Sequence, residues 1–296
     1  MFLARASASI CARLFMTPRP KCSIAAPQLP RDHIDGKEQA PQAYWVTSQS
    51  GGGKSTLRHD LNEWISSGGE QVVVIEPYVL AMEPNDEKGK TLKAADIIGA
   101  VIRVVAPGAM LRSSLAERSA QMHGILKASA QVGRRHVLII EEAHALPKAT
   151  LKHLKRFYEL QDGFKKLLSI ILIGQTELEW KLSEHDPEVR EVVQRCEMVK
   201  LPPLDNHAEA YLRHKFERAG IDFDKIVAPD VVDEIRNQLR KSEAGPGRGG
   251  QRDSRTVSLC HPLAINNLVS AAMNEAVKIS APKVTAGLIA AAVRSA

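Results

Sequence analysis

Residues Thr47-Ser48-Gln49-Ser50-Gly51-Gly52-Gly53-Lys54-Ser55-Thr56 place three glycines, a lysine and several hydroxyl side chains in one short run. Gly53-Lys54-Ser55 closes the pattern G-x-x-x-x-G-K-[ST], whose backbone N–H groups cradle phosphate oxygens. Gly51, Gly52 and Gly53 can wrap β- and γ-phosphates, and a helix N-terminus behind them adds partial positive charge. Lys54 would set an ammonium on those oxygens, and Ser55 would offer a hydroxyl ligand to Mg2+. Ser48 through Thr56 is therefore the expected nucleotide-binding loop, with ATP and Mg2+ as cofactors. Its opening position holds Ser48 where the pattern has glycine. If that position needs a φ closed to residues with a Cβ, the serine costs about 1–3 kcal/mol.

Two further groups could complete the chemistry. Glu141-Glu142 follow the apolar run Val137 to Ile140. In phosphate-loop nucleotidases this place holds an acid for the metal's water shell and then a glutamate that activates water. Glu141, standing where Asp is usual, is the expected metal residue, and Glu142 the expected catalytic base. The run "LLSIILIGQTEL" ends in Gln175 and Thr176, from which an amide or a hydroxyl can reach a γ-phosphate. Gln175 is the catalytic candidate, and Thr176 is equally suited to capping a helix.

These residues need a scaffold that holds them together. "YWVT" (44–47) is a β-type run entering the loop, and "STLRHDLNEWI" after it has helical spacing. "QVVVIEP" (71–77) and "HVLIIEEAH" (136–144) are continuous apolar runs of the kind buried on both faces of a parallel sheet. Helical stretches at 93–105 and 112–131 lie between them, and "KATLKHLKRFYEL" (148–160) precedes a fourth strand in "LLSIILIGQTEL". "CEMVKLPPL" (196–204) is a fifth, stopped by Pro202 and Pro203. The alternation predicts a doubly wound α/β fold, a parallel sheet flanked by helices with ligands at the carboxyl ends of its strands.

Beyond Leu204 the periodicity is helical, in "AEAYLRHKFERAG", "PDVVDEIRNQLR" and "PLAINNLVSAAMNEAV". The expected organisation is a basic, unstructured segment at 1–40, an α/β ATP-binding domain at 41–205 and a small helical lid domain at 206–296. Within the last, a flexible basic loop is expected at 241–258.

The chain of 296 residues has a net charge of +6 and a pI near 9.1, which suits a polyanionic partner such as nucleic acid. Its longest apolar runs fall short of the roughly 20 residues that cross a bilayer. Cys11, Cys22, Cys196 and Cys260 form no CxxC pair, arguing against a zinc site or a disulfide framework and for a reducing cytoplasm. The first 31 residues carry Arg5, Arg13, Arg19, Lys21 and Arg31 without an acid. That is the composition of a transit peptide, and equally of a basic tail or of a start placed upstream of the true one; the last two are favoured.

From Trp45 onward the chain resembles a group of AAA+ ATPases. The group includes the target-selecting B subunit of Mu-like transposable phages, its transposon counterparts and the ATPase of type II secretion. "SGGGKSTL", "VLIIEEAHALP", "LKHLKRFYELQDGFKKLLSIILIGQTEL", "PEVREVVQRCE" and "HPLAINNLVSAAM" carry the resemblance, and "IEPYVLAMEPNDEKGKTLKAADI" is similar to the phage branch. The resemblance implies a homo-oligomer, a ring or filament, that binds double-stranded DNA without sequence preference when ATP-loaded, delivers it to a transposase and releases it on hydrolysis. It also implies an arginine finger reaching a neighbouring subunit's site, with Arg195 as first choice and Arg190 as second. Basic residues of 112–135 and of the 241–255 run are candidates for phosphate contact.

Ser48 and Glu141 depart from the group's pattern. So does His261-Pro262-Leu263-Ala264, where the group often has Gly-x-Pro-Arg, so the lid lacks the expected γ-phosphate-sensing arginine. Two other readings stand beside the target selector: a secretion-associated ATPase, and a nucleotide-switched DNA scaffold with little or no hydrolysis.

Overall fold

The computed structural model describes residues 43–67, 71–77, 92–183, 186–187, 189–245 and 253–295. The expectations for residues 1–40, for the middle of the run after Pro77 and for the centre of the 241–258 loop lie outside the described residues. By its contacts the chain forms two units. One contains the chain up to Ser48 together with Lys54–Lys200, and the other contains Gln49–Gly53 and Leu201–Ala296.

The first unit runs β1 (Ala43–Thr47), α1 (Lys54–Ser67), β2 (Val72–Ile75), α2 (Ala94–Val105), α3 (Leu115–Gln131), β3 (Arg135–Ile140) and α4 (Lys148–Tyr158). It continues through β4 (Gln161–Asp162), β5 (Lys165–Lys166), β6 (Ser169–Gly174), α5 (Glu177–Lys181), α6 (Arg190–Val193) and β7 (Cys196–Lys200). Five strands form one parallel sheet in the order β2-β3-β6-β1-β7. The three inner strands are buried along almost their whole length, which is why their sequences, Ala43–Thr47, His136–Ile140 and Ile170–Gly174, carry scarcely a polar residue.

Helices cover the sheet with apolar stripes. α2 buries Ile97, Ile98, Val101, Ile102 and Val105, and its first turn is closed by Asp96 accepting the Lys93 N–H at 2.9 Å. α3 begins at Ser114, whose hydroxyl accepts the Glu117 N–H at 3.2 Å. α4 buries Leu151, Leu154, Phe157 and Tyr158, each worth roughly 1.5–3 kcal/mol in burial. The buried Tyr158 hydroxyl lies 3.3 Å from Cys196 Sγ, and burial pushes that thiol up to about 11, leaving it protonated and unreactive.

Between α4 and β6 the chain makes a small hairpin absent from the sequence reading. β4 and β5 pair antiparallel, Asp162 opposite Lys165, around the two-residue turn Gly163-Phe164. Gly163 has φ +60°, the left-handed value a type II′ turn asks of its first central residue.

One buried titratable group, His136 on β3, links three elements. Its Nδ1 lies 3.0 Å from the Leu167 carbonyl and its Nε2 2.9 Å from Ser129 Oγ, so the neutral ring donates to the former and accepts from the latter. Burial, and then the charges of Arg134 and Lys165, hold its pKa below the ordinary 6.5. The unfolded chain then binds this proton more readily than the folded one. Stability is therefore full above pH 6.5 and declines as pH falls from there towards the depressed folded pKa. We expect the wild-type Tm to fall between pH 7.5 and 5.5 more steeply than that of His136→Gln; equal slopes would exclude His136 as a source.

The second unit packs α7 (Ala208–Arg218), α8 (Phe223–Ile226), α9 (Val231–Gln238), α10 (Pro262–Lys278) and α11 (Ala286–Ser295) around Leu212, Phe216, Ile235, Ile265, Ala272 and Ile289. Phe216 and Phe223 meet edge to face with centroids 5.4 Å apart. The expectation of a flexible loop at 241–258 is corrected here. β8 (Arg240–Gly245) and β9 (Asp253–Ser258) form an antiparallel ladder from Arg240↔Ser258 to Gly245↔Asp253. The pairing is made by the backbone, so a polar and glycine-rich sequence conceals it. In the same unit the Leu263 N–H donates to the Gly51 carbonyl at 3.2 Å.

Candidate nucleotide site

The loop begins later than its pattern implies. Ser48 is 2 % exposed, and its N–H still reaches the Gly174 carbonyl at 3.4 Å, continuing the pairing of β1 with β6. Among the described non-glycine residues only Glu142 and Ser280 have positive φ, so Ser48 carries none of the strain expected for it. The left-handed positions fall on Gly51 (φ +72°) and Gly53 (φ +93°), both tolerated by glycine without cost. Gly52 N–H donates to Gln49 O at 3.1 Å, leaving Ser50 exposed at the bend. α1 starts at Lys54, with Ser55 and Thr56 exposed on its first turn.

Lys54 Nζ donates to the Ser48 carbonyl at 3.1 Å. Burial holds the ammonium below its usual pKa of 10.5, while the charges of Glu142 and Glu177 act in the opposite direction. A half-buried cation that donates to a backbone carbonyl is able to exchange that acceptor for a phosphate oxygen.

Glu142 follows directly on the carboxyl end of β3 and has φ +49° and ψ +34°. Left-handed conformation is uncommon for such a residue and costs on the order of 1 kcal/mol or more. The turn swings the carboxylate out of the strand's line, with its side chain 55 % exposed. His144 Nδ1 is 3.5 Å from Glu142 Oε2 and 3.4 Å from the Gln175 N–H. One nitrogen thus faces both the carboxylate after β3 and the amide after β6. Sequence reasoning passed over His144, although it stands in the same Glu-Glu-Ala-His string.

Glu141 is drawn the other way. Its Oε1 lies 3.1 Å from Arg58 Nε, an ion pair whose N–H is not aligned for a hydrogen bond. Arg58 Nη1 is also 3.2 Å from Glu76 Oε2, and Asn62 Nδ2 donates to Glu76 Oε1 at 3.0 Å. Arg58, one turn after Lys54 on α1, therefore ties the ends of β2 and β3 to that helix. The sequence signal was the i, i+4 spacing from Lys54, which puts both residues on one face.

Residues 37–182 match the family model described as AAA domain. The fold is that of an AAA+ P-loop NTPase. The AAA+ architecture is similar to that of the ORC2 protein of Aeropyrum pernix in its ADPNP–ADP complexes (TM-score 0.52, 16% identity), which covers 86% of this chain and 61% of that one. It is also similar to the A. pernix ORC1 protein in complex with DNA (TM-score 0.52, 15% identity; 99% of this chain, 64% of that one). Among curated proteins, general secretion pathway protein A of Aeromonas hydrophila is 34% identical over 97 residues, 32% of this chain and 17% of that protein. This chain spans about three fifths of the two solved relatives and a sixth of the curated one.

On this AAA+ sheet, Gln175 follows the carboxyl end of β6, and Glu177 begins α5 beside it. Glu179, one residue further along α5 from Leu178, accepts the buried Thr47 hydroxyl at 2.7 Å and pairs with Lys200 at 2.8 Å, pinning the ends of β1 and β7 together. Arg195 sits at the other edge. It precedes β7, whose first residue Cys196 is in register with the start of β1, and it pairs with Glu159 at 3.2 Å. The fold therefore does not bring Arg195 to its own chain's carboxyl-end cluster. Arg190 opens α6, between Val189 and Glu191.

The donor set suits magnesium nucleotide. Among the described residues no group of three or more His, Cys, Asp or Glu could hold a metal by itself. Mg2+ takes only one or two protein oxygens and completes its shell with water and phosphate, so the Ser55 hydroxyl would serve as one ligand, while Glu141 would have to leave Arg58 to serve as another. Two left-handed glycines, a helix N-terminus and a half-buried lysine are the matching cradle for the phosphates. No helix among the described residues is long and apolar enough to cross a membrane.

Proposed function

We propose that this chain is an ATP-hydrolysing AAA+ protein that binds duplex DNA without sequence preference and delivers it as target to a transposase. The observation that carries the enzymatic part is the strand order β3-β6-β1, which sets Glu142, Gln175 and the loop before Lys54 after the carboxyl ends of three adjoining parallel strands. Bound Mg2+ would supply charge neutralisation across the β- and γ-phosphates. Gly51 to Gly53 would direct their N–H groups at phosphate oxygens, and Lys54 would add its charge there. Glu142 would take the proton from the attacking water, and the Gln175 side chain would orient that water. Arg195, turned away from its own site, would act as a finger on a neighbouring subunit in a homo-oligomer. The basic excess, the likeness to a fold that is solved on DNA, and the motifs shared with transposition ATPases support the DNA and transposase parts.

The match to general secretion pathway protein A favours a second reading, in which the same cycle serves secretion and envelope assembly. ATP turnover measured with and without random-sequence duplex separates the two. We expect several-fold stimulation by duplex, and DNA binding that requires ATP and weakens steeply with salt. Turnover indifferent to DNA would favour the secretion reading. Nucleotide binding without turnover under any condition would favour a DNA scaffold.

A further inference from the structure

The most exposed large apolar side chain among the described residues is not near the nucleotide loop. Phe164, at the tip of the β4–β5 hairpin, is 99 % exposed. Its position is fixed: His123 Nε2 of α3 lies 3.1 Å from the Gln161 carbonyl, and Leu167 N–H donates to Leu160 O at 3.0 Å across the hairpin base. Lys165 Nζ approaches the Ala130 carbonyl at the end of α3 at 3.5 Å. An aromatic ring held out into solvent on a braced two-residue turn is positioned to meet something.

Charge indicates what. The hairpin leads into β6, and Arg134 and Arg135 lie at the start of β3, so all belong to the sheet's amino-terminal edge, opposite the carboxyl ends. Arg134 and Lys165 meet at the last turn of α3, where the Arg134 N–H donates to the Ser129 carbonyl at 3.2 Å and Lys165 Nζ reaches the Ala130 carbonyl. Lys127 of α3 reaches Asp162 at 2.8 Å, and Lys165 sits across the hairpin from the same carboxylate. The hairpin's one acid is thus neutralised, and a basic face remains around a single aromatic. A protein partner generally demands a contiguous apolar patch of several hundred Å2, which one phenylalanine among cations does not provide. Phosphates flanking a stack of bases match both components.

We infer that this amino-terminal edge is the chain's duplex-DNA surface, with Phe164 wedged against a base step in the minor groove and Lys127, Arg134 and Lys165 on the flanking phosphates. This rests on the DNA-binding reading proposed above and names its surface. Apolar side chains presented on strands or turns enter the minor groove, about 6 Å wide, and unstack a base step from it.

The test uses the full chain with a non-hydrolysable ATP analogue and a labelled duplex carrying 2-aminopurine. Phe164→Ala is expected to weaken binding about tenfold or more, leave the salt dependence unchanged and abolish the rise in 2-aminopurine fluorescence that marks an opened step. Phe164→Trp is expected to keep both. Arg134→Ala is expected to lower the slope of log affinity against log salt by about one ion. DNA-free ATP turnover unchanged in all three variants confirms that they fold. Wild type that binds no duplex overturns the surface and the DNA reading together. Wild type that binds, with Phe164→Ala equal to it, overturns the surface alone. Loss of self-association in Phe164→Ala with DNA affinity intact assigns the tip to a neighbouring subunit and likewise overturns the proposal.

Discussion

Glu142→Gln is expected to lower ATP turnover by about two to four orders of magnitude while nucleotide affinity stays within a few-fold. General base catalysis contributes on that scale, equivalent to roughly 3–5 kcal/mol of barrier. The amide keeps the size of the carboxylate and leaves the φ of +49° as it was, so the backbone gains neither strain nor relief. It removes the basic oxygen and one of the two negative charges that favour the Lys54 ammonium. Single-turnover hydrolysis alongside equilibrium binding of a fluorescent nucleotide separates these effects. Turnover within tenfold of wild type would remove Glu142 as the base. Glu142→Asn should also lose activity, yet raise Tm, because asparagine enters the left-handed region more readily than glutamate.

The second large effect is expected from Lys54→Ala: nucleotide affinity weakened about 10- to 100-fold with the fold intact. A charge-assisted hydrogen bond to an anion is worth about 1.5–3 kcal/mol. In the structure Lys54 donates to the Ser48 carbonyl at 3.1 Å, and burial is the largest influence on its ammonium, disfavouring the charge. Its loss should therefore leave Tm unchanged or slightly higher. Isothermal titration with ATP and a thermal melt together check this. Unaltered affinity would show that the phosphates bind elsewhere, and a collapsed melt would show a structural lysine.

How far these residues could be read from sequence depended on how local their cause was. Val137–Ile140 and Ile170–Ile173 announce themselves because a strand enclosed by neighbours has little room for a polar side chain, and Val72–Ile75 does so as an apolar run although it lies half-buried at the sheet's edge. The hairpin at 161–166 did not, since two residues per strand are too few for alternation to register; Gly163, the first residue of its turn, was its main signal. β8 and β9 were hidden because their pairing is a backbone matter and their residues are polar. Gly51, Gly53 and Lys54 were evident from a pattern that reflects backbone geometry. The left-handed turn at Glu142, the Arg58–Glu141 pair and the tie from Glu179 to Thr47 were not, because each depends on distant segments meeting. Ser48 was misjudged for the same reason. Its conformation is set by Gly174 on another strand, not by its place in a motif.

β6 carries the hairpin at one end and Gln175 at the other, with β1 and β3 bonded along its two sides. Its six residues span about 20 Å at roughly 3.3 Å each, and no glycine or bulge interrupts them before Gly174. A strand bonded along both sides joins the DNA-facing end to the phosphate-facing end by one continuous element. If the sheet couples the two, Phe164→Ala would lose the stimulation of turnover by duplex while leaving DNA-free turnover as it was.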